Sequence, residues 1–218
     1  MGMFGLEWLG MAAAAALALR VRQKGPALCL IQGQGEDGDV KIAGSSWSSR
    51  PREEGNAVAD AYLTQRRLGN IERARALGER FAQLLEEEGQ RLSPAIDPRR
   101  PEECQPALYS LLAFAVNRAV ERFSPNSILA HIVLSAFYDT LAGCCPECSE
   151  AAGDSAAFSL YLLAIRGRQP EEEAAGRVFA RLCGREDNEA AVKQAAKLYG
   201  TFLSRLEALT RQAGYLSA

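Results

Sequence analysis

From about residue 57 to the C-terminus, apolar side chains return at steps of three and four, and this spacing limits the fold more than any other feature of the chain. Ile71, Ala74, Phe81, Leu84 and Leu85 follow it, as do Leu108, Leu111, Leu112, Ala115, Val116 and Ala119. Ile128, Leu129, Ile132, Val133, Ala136, Phe137 and Leu141 form a third set, and Val192, Ala195, Tyr199, Phe202, Leu206, Leu209 and Ala213 a fourth. Such a period is the stripe of a helix facing a core. Punctuation agrees with it. Gly69-Asn70 separates two helices, and Ser124-Pro125 reads as an N-cap followed by proline in the first turn. Gly143 is expected to close the third set in the left-handed conformation. Asp154 or Ser155, the run Pro170-Glu171-Glu172-Glu173, and Asp187 or Asn188 open later helices, and Cys183-Gly184 ends one. The polar segment 91–101 is expected to be a loop. The predicted fold class is all-α, a single antiparallel bundle of six to seven helices over residues 56–218. The stretch Ser124–Cys148 is expected to be its centre.

Residues 1–55 read as an appendage, poorly ordered and with room for one short β-hairpin. The apolar run Trp8–Leu19 is short of the ~20 residues a spanning helix needs, and Glu7 precedes it where a secretory signal carries positive charge. Residues 27–32 and 40–43 suit two strands around a glycine-rich turn. Residues 44–55 have a linker's composition, so the helical fold is expected to begin near residue 56.

The chain has 218 residues and a formal net charge of -2. That balance argues against a protein built to hold nucleic acid, which usually shows a strong basic excess. Six cysteines in this length are too sparse for a disulfide scaffold, so reduced thiols in a cytoplasmic protein are expected.

Chemical leads are few. Cys145-Pro146-Glu147-Cys148 has the spacing that lets two sulfurs grip one metal ion or form a redox pair, and Cys144 adds a third sulfur. Cys144, Cys145 and Cys148 are therefore the candidate metal ligands, with zinc as the one cofactor to consider. No second CxxC is present, and the βαβ setting of a thioredoxin-type site is missing. Inert thiols at a turn between helices are the plain expectation. His131, the only histidine, precedes Ser135 and Tyr138 on one helix and is expected to be a core or boundary residue. Gly33-Gln34-Gly35-Glu36-Asp37-Gly38 matches GxGxxG, but strand-like residues follow it and two acids would repel a phosphate, so it reads as a hairpin turn.

Gln194–Gly200 resembles the first helix and turn of a helix-turn-helix, with Leu206 at a core position of the second helix. Phe202-Leu203 departs from that pattern, and an unbroken terminal helix is the competing reading. Gly69–Ala74 resembles part of a tetratricopeptide repeat, with Gly78 where a large residue is usual and no second copy. No catalytic constellation emerges, so a non-enzymatic protein-interaction or regulatory module is expected. Its partner would be an unknown protein or a second copy of itself, with no membrane and no specific nucleic acid. The alternatives are a zinc-binding or thiol-redox-sensing protein centred on Cys144, Cys145 and Cys148, and a DNA-binding regulator acting through residues 194–206.

Overall fold

The computed structural model describes the backbone of residues 50–96 and 101–217, and the side chains of 57–93 and 103–217. Among the described residues the chain is all-helical, with eight α-helices rather than the six to seven expected, since the short segment Pro146–Ala152 forms a helix of its own. They are α1 (Arg50–Arg67), α2 (Asn70–Ile96), α3 (Pro101–Phe123), α4 (Ser127–Cys144), α5 (Pro146–Ala152), α6 (Ser155–Ile165), α7 (Glu171–Leu182) and α8 (Glu189–Gln212). The hairpin expected at 27–43 and the GxGxxG stretch lie outside the described residues. Contacts divide the chain into units 1–61 and 62–218. Of the first unit, residues 50–61 of α1 are described. The second unit contains the end of α1 and all of α2 to α8.

Local chemistry sets most helix ends. Gly69, at φ +67, lets the chain turn between α1 and α2, and Arg73 Nη1 donates to Leu68 O at 2.9 Å. Asp154 Oδ1 accepts from the Ala156 and Ala157 amides, and Asn188 Oδ1 from those of Ala190 and Ala191, each satisfying donors that a helix start leaves open. Three expectations fail here. Asn126, rather than Ser124, caps α4, with Oδ1 accepting from Leu129 N at 3.0 Å. Gly143 lies inside α4 and is not left-handed. Helix α2 runs on to Ile96 and α3 starts at Pro101, so helix covers part of the expected loop.

The centre is α3, not the helix that begins after Ser124. Every side chain from Ala107 to Val116 is buried, and α3 touches α2, α4, α5, α6, α7 and α8. Phe114 stands among three rings, its centroid 5.4 Å from Phe158, 4.9 Å from Tyr161 and 6.2 Å from Tyr199. Helix α4 is more apolar, with 18 residues and a mean hydropathy of 1.4 that would suit a membrane span, yet 22% of it is buried. Only Leu129, Val133, Phe137 and Leu141 are fully covered, a stripe stepping by four. His131, Ser135 and Asp139 form the opposite, exposed stripe. An offset of two residues is about 200° around a helix, so the polar side faces away from the core.

Helix α4 lies mainly on α2. The contact is close because Gly78 of α2 has no side chain. A Cβ built there would stand 2.4 Å from Val133 O and 2.8 Å from Ala136 Cβ. The residue that breaks the repeat-like pattern in sequence is thus the seat of the α2–α4 contact.

Candidate functional site

The candidate site is the joint between α4 and α5. Residues three apart in a helical turn stand on one side, about 5–6 Å apart. The CxxC spacing uses this. Cys145 is the N-cap of α5 and Pro146 occupies its first turn, where a missing N–H costs nothing. Cys145 and Cys148 are disulfide-bonded, with Cα atoms 5.2 Å apart. The Cys145 amide donates to Leu141 O at 2.9 Å, finishing α4. Its Sγ accepts from the Cys148 amide at 3.3 Å, starting α5. The two sulfurs differ in access. Cys148 is fully buried in the core, and Cys145 is half-buried at its edge. Ser110 Oγ of α3 donates to Ala151 O at 2.8 Å and ties the far end of α5 to the centre of the fold.

Cys144 is exposed and retains its thiol. Partial burial, followed by the charge of and a hydrogen bond with Glu86 of α2, pushes that thiol above its usual range. That disfavours the thiolate through which a ligand or nucleophile acts. The expectation of reduced thiols thus meets an exception at Cys145 and Cys148, whose sulfurs are committed to each other. Among the described residues no three His, Cys, Asp or Glu side chains converge to hold a metal ion. Cys104 is buried at the start of α3, and Cys183 is half-buried after α7.

The other leads separate. His131 and Ser135 are exposed, so His131 is not the core or boundary residue expected, whereas Tyr138 turns inward and accepts from Asn117 Nδ2 at 2.8 Å. Residues 194–206 lie within the single helix α8, so the turn of a helix-turn-helix is absent there.

Two polar clusters that no sequence pattern announced hold helices together. Glu88 of α2, 6% exposed, pairs with Arg205 of α8 and with Arg91. Glu171 of α7 accepts from Arg118 of α3 at 3.1 and 3.3 Å, from Tyr199 of α8 at 2.5 Å, and from Arg122. Burial alone would raise the Glu171 carboxyl. Hydrogen bonds from Arg118 and Tyr199 and the charges of both arginines outweigh it and hold the pKa below the ordinary 4.5. A carboxyl lowered by folding stabilises the fold above its unfolded pKa, and that contribution is lost as pH falls through the folded value. Acidification from about pH 5 to 3 should therefore lower the melting temperature of the native chain more steeply than that of Glu171→Gln. Parallel curves would show that the cluster is not linked to folding.

Two cavities lie among the described residues. One between α7 and α8, lined by Phe179, Cys183 and Leu198 among others, has about 30 Å³, room for one or two waters. An open groove beside Arg122, Arg211 and Tyr215 offers arginines already paired with Glu171 and Glu207. Compared with protein-family models, curated proteins and solved structures, the chain matches none of them.

Proposed function

We propose that this chain is a thiol-redox-sensing regulatory module rather than an enzyme, built as an antiparallel helical bundle around α3 and working in the cytoplasm. One observation carries the reading. The Cys145–Cys148 disulfide spans the joint at which α4 ends and α5 begins, and one of its sulfurs sits in the core. In a cytoplasmic setting, disulfides are usually transient, catalytic or redox-sensing rather than structural. A bond made and broken here acts directly on the α4–α5 joint, because the Cys145 side chain also caps α5. A regulator needs something to act on. Its target would be a protein partner or a second copy of this chain. The net charge of -2 disfavours nucleic acid.

Equilibration in buffers of graded dithiol/disulfide ratio, acid quenching and thiol labelling test this. A single two-electron transition confined to Cys145 and Cys148 is expected, with faster backbone hydrogen exchange over residues 141–152 in the reduced form. A pair that stays reduced at every ratio, or an oxidation that leaves exchange at the joint unchanged, would overturn the reading.

A further inference from the structure

Resting on that redox reading, we infer the kind of thiol that this centre takes: it opens at Cys145 and discriminates by charge, accepting cationic and neutral thiols ahead of anionic ones. The point of attack follows from access. Cys148 is covered by the core, whereas Cys145 is half-buried beside exposed Cys144, Pro146 and Glu147. An incoming thiolate attacks Cys145 Sγ. A new sulfur–sulfur bond forms there, the bond to Cys148 breaks, and Cys148 leaves as thiolate and takes up a proton. A second thiolate then attacks the outer sulfur of the mixed disulfide, and Cys145 leaves and is protonated in turn. Two external thiols become one disulfide, and the protein gains two electrons and two protons.

The charge preference follows from what surrounds the pair. From Ser124 to Ile165, through all of α4, α5 and α6, there is no lysine or arginine, whereas Asp139, Glu147, Glu150 and Asp154 are all present. Glu147 stands between the two cysteines, and it and Glu150 are exposed on α5. Glu86 of α2 adds a carboxylate beside Cys144. Of the cations on the neighbouring helices, exposed Arg75 lies about three turns before Glu86 on α2, and four others are paired with carboxylates. Arg80 and Arg91 of α2 pair with Glu87 and Glu88, and Arg118 and Arg122 of α3 with Glu171. Among the described residues of α4, α5 and α6, the attacking thiolate thus meets carboxylates and no lysine or arginine. A positive group on the same molecule offsets the repulsion and a carboxylate adds to it. A cysteine in a basic peptide fits this mouth, and glutathione, with its excess of carboxylates, fits it poorly.

The test is the rate at which cysteamine, 2-mercaptoethanol and 3-mercaptopropionate reduce the oxidised full chain, each expressed per thiolate. A Cys144→Ser background removes the neighbouring thiol. Cysteamine should exceed 3-mercaptopropionate by about tenfold at ~10 mM salt, where the Debye length is about 30 Å, and by under about twofold at 1 M, where it is about 3 Å. Glu147→Gln should narrow the low-salt ratio, and the acid-quenched mixed disulfide should map to Cys145. Equal low-salt rates for all three thiols, or an adduct on Cys148, would overturn this inference while leaving the redox reading intact. A disulfide that none of the three reduces would instead sink the redox reading itself.

Discussion

Phe137→Ala is expected to lower the unfolding free energy by about 3–5 kcal/mol, the range for deleting a fully buried phenylalanine ring. Phe137 is 0% exposed and is the largest member of the only stripe that α4 buries. Its ring lies 4.9 Å from that of Tyr138, edge to face. Because α4 holds to the rest of the unit through so few covered positions, little else can close over the space. Gln212→Ala, on an exposed position near the end of α8, should change stability by no more than about 0.5 kcal/mol. Chemical denaturation of both variants measures this. Equal small losses would mean that the face of α4 has been misassigned.

Gly78→Val should cost about 3 kcal/mol, at the upper end for overpacking. The first added carbon would already stand 2.4 Å from Val133 O and 2.9 Å from Phe137 N. Both are backbone atoms that no rotamer change can move, so α2 and α4 would have to part. Helix propensity alone predicts the opposite sign for alanine at this site, since glycine is about 1 kcal/mol worse than alanine in a helix interior. Gly143→Ala provides the comparison. It lies inside α4, and a Cβ there meets nothing within 4 Å, so it should gain up to about 1 kcal/mol from propensity. A stabilised Gly78→Ala would show that the two helices do not approach this closely.

The chain by itself determined the elements whose cause is local. The helical class follows from apolar spacing that Leu108, Leu111 and Leu112 or Tyr199, Phe202 and Leu206 state outright. The starts at Asp154 and Asn188 were legible because a cap is made by a side chain and the amides two and three residues on. The turn at Gly184, with φ +64, follows from the left-handed backbone that glycine tolerates. Helix α5 carries an equally local signal, since Pro146-Glu147 repeats the proline-then-acid start seen at Pro170-Glu171. The expectation of a plain turn there was wrong because a helix of 7 residues is too short to display an apolar period.

Tertiary structure decided which face meets which helix. Periodicity says that α3 and α4 each have an apolar side, but not that α3 is surrounded and α4 covered on one stripe. That depends on a missing side chain at Gly78, distant in sequence from Val133. The Glu171 cluster joins Arg118, 53 positions away, and Tyr199, 28 positions away. Charge pairs over such separations leave no mark in the spacing of either residue. At the candidate site the division is the same. The CxxC spacing announced that two sulfurs could meet, because one helical turn brings such positions together. Their unequal access and the carboxylate of Glu86 beside Cys144 come from the packing of α5 on α3 and of α4 on α2. Those contacts are set by shape and burial across the whole unit, which no single stretch of sequence contains.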